Sequence, residues 1–252
     1  MKKLYFILIL VLASISLSAA SGNDSLFTEA NRHFNEGLYN DAISAYEEIL
    51  ENGVASWELY YNLGNAYFKT NNMGPAIYNY EKALKLNPES EDAKFNLKIA
   101  NNKITDKIEP VPEFFIKKWW RGMYSMFPAH SWGIISIVLF LGVLILAVVF
   151  FISPLPGTKR TAFWTALLLL ILTVFSFAAG YKNYHEQELQ DEAIVFAPTV
   201  TVKSSPNKNA VDLFVLHEGS KLRITDEVDQ WYEIRIANGS VGWLPEETVR
   251  TF

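Results

Sequence analysis

The side chains of this chain that could do chemistry are aromatic rings, amides and cations rather than nucleophiles or bases. None of the 252 residues is cysteine, which excludes structural disulfides, thiolate metal sites and a cysteine nucleophile. The four histidines, His33, His130, His185 and His217, are scattered and stand at no metal-ligand or triad spacing. There is no phosphate loop or dinucleotide fingerprint, and Glu246-Glu247 reads as an exposed turn pair. The sequence therefore predicts a non-catalytic protein that needs no cofactor and no metal. A net charge of −5 argues against nucleic acid as a partner. What remains is three sets of binding side chains. Phe27, Asn31, Phe34, Tyr61, Asn65, Phe68, Lys69 and Phe95 supply aromatic rings, amides and a cation over residues 27–95. Trp231, Trp243 and Pro245 form a second set, two indoles and a proline. Lys117, Lys118, Trp119, Trp120 and Arg121 suit a lipid interface.

The elements that must position these residues are organised around two apolar stretches, 132–152 and 161–181, neither of which carries a charge. Each is long enough to cross the ~30 Å hydrocarbon core as a helix. A soluble core helix would show a polar face, and neither does. Residues 153–160 hold two prolines and a glycine and predict a short turn between the helices. A transmembrane hairpin is expected, with the flanking regions on one side of the membrane.

Met1-Lys-Lys3, an apolar run and Ser18-Ala-Ala20 read as a signal peptide over residues 1–20. Cleaved or retained, it places residues 21–131 in the periplasm, the turn in the cytoplasm and residues 182–252 in the periplasm. The basic residues oppose this orientation: Lys159 and Arg160 in the turn are outnumbered by Lys117, Lys118, Arg121 and Lys182 outside. The signal peptide is given precedence because it acts first during insertion.

Residues 57–90 read as two amphipathic helices. Tyr60, Leu63, Gly64 and Tyr67 share one face, and Ala76, Tyr80, Ala83 and Leu84 share the next. The run Leu63-Gly64, Tyr67, Ala76, Tyr80, Ala83 and Pro88 resembles the tetratricopeptide repeat. Residues 23–56 repeat it more loosely, with Val54 where proline is expected, and a helix from Ala93 serves as a cap. Residues 21–105 are thus two repeats plus a capping helix, fewer than the ~3 usually needed for stability. Support from the hairpin or from a partner is expected. The resemblance implies a peptide groove on the inner helices at Phe27, Asn31, Phe34, Tyr61, Asn65, Phe68, Lys69 and Phe95, with Asn31 and Asn65 bonding the peptide backbone. The rival reading is that the groove aromatics pack the superhelix.

Residues 106–131 form an amphipathic aromatic-basic junction, expected to lie at headgroup level. A linker, 182–192, leads to short strands over 193–252. Asn238-Gly239 marks a hairpin turn. Val202-Lys-Ser-Ser-Pro206, Gly219, Leu222, Trp231-Tyr232, Gly242-Trp243 and Pro245 resemble the bacterial SH3 domain, so a small all-β barrel is expected. The SH3 ligand groove maps onto Trp231 and Pro245. A wall-binding barrel using Trp231 and Trp243, or a plain docking barrel, are both open readings.

The fold expected is therefore a multidomain membrane protein: α-helical repeats, a two-helix hairpin and an SH3-like barrel. That order resembles the aerotolerance (Bat) family. The resemblance implies a membrane-held scaffold beside von Willebrand A-domain membrane proteins and a MoxR-like ATPase, linked to oxidative stress. Membrane lipids and peptidoglycan are further expected partners.

Overall fold

The computed structural model describes residues 25–112, 114–188 and 192–252; the expected signal peptide lies outside them. The chain divides into two compact units. One comprises the residues up to Pro110 together with those from Asp191 onward, and the other runs from Val111 to Gln190.

The first unit begins with five helices: α1 (25–35), α2 (Tyr39–Glu51), α3 (Trp57–Lys69), α4 (Met73–Leu86) and α5 (Glu91–Asn101). Its local chemistry repeats every 34 residues. Ser56 caps α3 by accepting from the Leu59 N–H at 3.2 Å, and Ser90 caps α5 by accepting from Ala93 N–H at 3.3 Å. Gly37 and Asn71 take the left-handed conformation at equivalent turns, with φ of 81° and 65°. Gly64 lets α3 and α4 touch: an added Cβ would lie 2.8 Å from the Tyr80 ring. Where Val54 replaces the expected proline, a different device stops α2. Gly53, at φ 78°, donates to Leu50 O at 3.0 Å, and Val54 N–H reaches back to Ile49 O at 3.3 Å. This is a Schellman stop, and it needs no proline.

After the hairpin the same unit resumes with strands β1 (Glu192–Val195), β2 (Thr199–Lys203), β3 (Asp212–His217), β4 (Lys221–Val228), β5 (Trp231–Ile236), β6 (Val241–Pro245) and β7 (Val249–Thr251). They form one antiparallel sheet in the order β3-β2-β6-β5-β4-β1-β7. The expected barrel is thus corrected to a sheet that does not close, with β3 and β7 as separate edges. At Gly242, an added Cβ would meet Val202 Cγ1 at 2.5 Å, so β2 and β6 approach closely there. A single register pair, Lys203–Trp243, joins β2 to β6, beside a bulge between Val202 and Lys203. The Asn238-Gly239 turn forms, with Gly239 at φ 89°.

The helices and the sheet share a core. Ile194 of β1 is fully buried among Ala76, Ile77, Tyr80 and Ala100. Tyr78 of α4 meets Phe196 and Phe252 edge-on, at 5.6 and 6.0 Å between ring centres. Gly74 N–H donates to Glu218 Oε1 at 2.9 Å, so a side chain from the sheet closes the N-terminus of α4. The support that a two-repeat array requires is supplied here by the sheet.

The second unit holds α6 (Phe115–Tyr124), α7 (Ala129–Ile152) and α8 (Pro156–Glu188). Two of its helices, Ala129–Ile152 and Pro156–His185, are long and apolar enough to cross a membrane. The turn is shorter than its sequence suggests. Pro156 starts α8, because proline at a first helical position loses no hydrogen bond. Ser176, Ala179, Gly180 and Asn183 form a small-residue stripe on α8; a Cβ on Gly180 would meet Trp132 Cβ at 2.9 Å. Ser176 Oγ donates to Trp132 O at 2.9 Å. Asn183, 2% exposed, donates to Tyr124 O and Phe127 O at 3.0 and 2.8 Å, and Trp132 Nε1 also donates to Tyr124 O at 2.8 Å. These bonds satisfy the carbonyl of Tyr124, the last residue of α6, and of Phe127 just beyond it, and fix the end of α6 to the hairpin.

Gly219 tests the shared core. At φ 87°, an alanine there would be strained and would drive its Cβ to 2.6 Å from Ile104 Cγ2. Gly219→Ala is expected to cost about 2–4 kcal/mol, combining left-handed strain with overpacking. Gly37→Ala meets nothing within 4 Å and is expected to cost only about 1–2 kcal/mol. Urea unfolding of the two variants in detergent measures the difference.

Candidate binding clefts of the repeats and the sheet

The repeat helices enclose a cavity of about 280 Å³. Four of the predicted residues line it: Phe34, Asn65, Phe68 and Lys69. Tyr80, Asn96 and Ile99 complete the wall. Lys103 Nζ lies 4.1 Å over the centre of the Phe68 ring, which adds a second cation beside Lys69.

The amides are held by a device that repeats with the helices. Tyr46 Oη and Asn62 Nδ2 both donate to Asn31 Oδ1, at 2.6 and 3.1 Å. One repeat later Tyr80 Oη and Asn96 Nδ2 both donate to Asn65 Oδ1, each at 2.8 Å. Each clip ties three successive helices through one carbonyl oxygen. Burial pushes the Tyr46 hydroxyl up to about 12 and raises that of Tyr80 as well, so both stay protonated donors. Asn31 and Asn65 therefore spend their acceptors internally; of the two, only Asn65 lines the cavity, where its Nδ2 group can face a ligand. The remaining predicted residues lie elsewhere. Phe27 packs 6.0 Å from Tyr46, Tyr61 stacks between Trp57 and Tyr80, and Phe95 is 64% exposed outside the cavity. Asn96 and Ile99 were legible in principle, since they stand 34 residues after Asn62 and Asn65.

A larger cleft of about 610 Å³ opens on the sheet. Trp231 and Pro245 line it, as the SH3 pattern predicts, and are register partners across β5 and β6. Trp243 is half-buried two residues before Pro245 and is not part of its wall. Charges of both signs flank the cleft at Lys208, Arg250, Glu246 and Glu247. Tyr78 of α4 forms part of the wall, so the cleft is composite. No signal in the SH3-like stretch alone could reveal that residue.

One polar cluster has the residue types of a hydrolytic triad. Asp106 Oδ2 accepts from Ser220 Oγ at 2.6 Å and from His217 N–H at 2.7 Å, and Asp106 Oδ1 lies 2.8 Å from His217 Nδ1. Serine and histidine both bond the carboxylate and not each other, so the serine–histidine pair of a charge-relay triad is not formed. The cluster is a clip between the segment after α5 and the β3–β4 turn. Burial alone would raise the Asp106 carboxyl, but the bonds from Ser220 and His217 hold it below its usual value. Among the described residues no group of three or more His, Asp or Glu could hold a metal.

Residues 57–90 match the tetratricopeptide repeat and residues 198–250 match the bacterial SH3 domain, so the chain carries both modules. No curated protein matches the chain. Among solved structures it is similar to MamA, at 16% identity and a TM-score of 0.33, over 69% of this chain and 85% of that one. It is also similar to YrrB, described as a TPR protein with an unusual peptide-binding site, at 16% identity and a TM-score of 0.32, over 67% and 76%.

Two outcomes check these assignments. Asn65→Ala removes the acceptor shared by Tyr80 and Asn96 and is expected to cost about 1–3 kcal/mol in urea unfolding. Asn96→Ala leaves Asn65 bonded to Tyr80 and is expected to cost less. Because the Asp106 carboxyl is depressed in the fold, it stabilises above its ordinary value of 3.8, and that contribution is lost as pH falls through the depressed value. Asp106→Asn is expected to flatten this part of the acid dependence in thermal unfolding followed from pH 6 to pH 2.

Proposed function

We propose that the protein is a non-catalytic membrane adaptor that presents two binding clefts together on one face of a bilayer. The observation that carries this reading is the shared core of the repeats and the sheet. Ile194, Phe196 and Glu218 pack on or bond to helices that precede the hairpin. A chain crossing the membrane once between residues 110 and 191 would separate those partners. Two crossings, by α7 and α8, keep them together. The repeat cavity suits an extended peptide with an apolar side chain against Phe34, Phe68 and Ile99. The composite cleft suits a second docking segment.

In this reading α7 and α8 anchor the protein in a bacterial inner membrane, both soluble modules face the periplasm, and Ser153–Leu155 turn in the cytoplasm. The partners are those of a BatE-like aerotolerance complex: von Willebrand A-domain membrane proteins and, through them, a MoxR-like ATPase. A second reading, a cell-wall-binding sensor, draws on the bacterial SH3 match and on the open cleft at Trp231.

Protease added to intact spheroplasts is expected to cleave both modules, and a periplasm-active phosphatase fused at Thr158 to be inactive. A photocrosslinker at Ile99 in native membranes is expected to capture a von Willebrand A-domain protein, and Phe68→Glu to reduce that product about tenfold or more. Co-sedimentation of the full chain with wall material, abolished by Trp231→Ala, would favour the sensor instead.

A further inference from the structure

The apolar side of α6 is wider than the part that the hairpin covers. At about 100° per residue, Phe115, Ile116, Trp119, Trp120, Met123 and Tyr124 occupy one half of the helix circumference. Lys117, Lys118 and Arg121 occupy the other half. The hairpin takes one edge of the apolar arc. Trp120 meets Phe175 of α8 edge-on at 5.7 Å, and Tyr124 is 4% exposed. Phe115, Ile116 and Trp119 remain 79%, 62% and 65% exposed. Trp120, which the sequence groups with Trp119, is therefore a packing residue, while Trp119 faces outward.

The contacts also set a depth. Asn183, which binds the end of α6, lies two residues beyond Tyr181, the last residue of the predicted span. Phe175 lies six residues inside it, or about 9 Å along α8. Helices that rest in a bilayer interface bury their apolar face roughly 5–10 Å into the headgroup and acyl boundary. The C-terminal half of α6, fixed to α8 at these two points, lies at that depth if α8 spans.

We propose that α6 is a lipid-interface helix. Phe115, Ile116 and Trp119 enter the acyl boundary, and Lys117 and Lys118, both exposed, meet headgroup phosphates. This rests on the membrane reading of α7 and α8. The occupant is lipid rather than a partner helix, because the exposed arc continues the apolar surface of the span to which it is fixed, and its opposite face is cationic.

The chain has no cysteine, so single-cysteine variants take one spin label each. Ile116→Cys, Lys118→Cys, Trp119→Cys and Leu141→Cys are labelled in the full chain in vesicles of phosphatidylethanolamine and phosphatidylglycerol. Collision with oxygen and with a nickel chelate then reports depth. Labels at 116 and 119 are expected to favour oxygen, the label at 118 to favour nickel, and the label at 141 to be deepest. Changing Lys117 and Lys118 together to Glu is expected to raise nickel access at 119 severalfold; no change there overturns the phosphate contacts. If 116 and 119 collide with nickel as freely as 118 while 141 stays deep, the interfacial helix is refuted and the hairpin stands. If 141 is also open to nickel, the membrane reading fails and the proposal with it.

Discussion

Ile194 belongs to β1, yet the fully buried residues clustered with it, Ala76, Ile77, Tyr80 and Ala100, lie in the repeat helices. That placement requires a strand from one end of the chain to lie against α4 and α5 from the other, with the whole hairpin looped out between. The glycines on either side of the contact allow it. Gly74 has no room for a Cβ beside Glu218 and Val195 O, and Gly219 has none beside Ile104 and Ile77. The composite cleft follows from the same contact, because Tyr78 reaches it only when α4 is packed on the sheet.

Charge makes this contact specific more than it makes it strong. Lys221 sits 3.0 Å from Glu81 of α4 and 2.8 Å from Glu192 of β1. Burial raises the Glu81 carboxyl, and the attraction of Lys221 does not fully reverse it; nearby Glu192 raises it further. An acid raised in the fold opposes folding as pH climbs past its ordinary 4.5, so Glu81 is no net source of stability at neutral pH. Glu81 and Glu192 in turn hold the Lys221 ammonium above its usual value despite burial. Such a cluster sets register, because a slipped junction would strand buried charges without partners. The apolar contacts of Ile194, Phe196 and Phe252 supply the attraction.

Much of each module was legible because its signal is periodic. The 34-residue spacing carries the caps, the left-handed turns and the paired residues of both amide clips. Alternation and Asn238-Gly239 located the strands. What the sequence did not disclose depends on contacts between windows far apart. Nothing periodic marks Glu81, Lys221 or Gly74. Their roles exist only once the two modules meet. Barrel closure was misjudged for a similar reason: strand count is local, whereas closure requires β3 and β7, the two edges of the sheet, to pair. Pro156 read as a breaker because its class of residue ends helices; its position at the start of α8 reverses the meaning.

The central claim, that repeats and sheet are one body, is tested most directly by zero-length carbodiimide crosslinking of the intact chain in its native membrane, followed by peptide mass spectrometry. The account predicts that Lys221 forms amides with both Glu81 and Glu192. Efficient linkage to Glu192 with none to Glu81, although both carboxylates lie within 3.0 Å of the same ammonium, would contradict it.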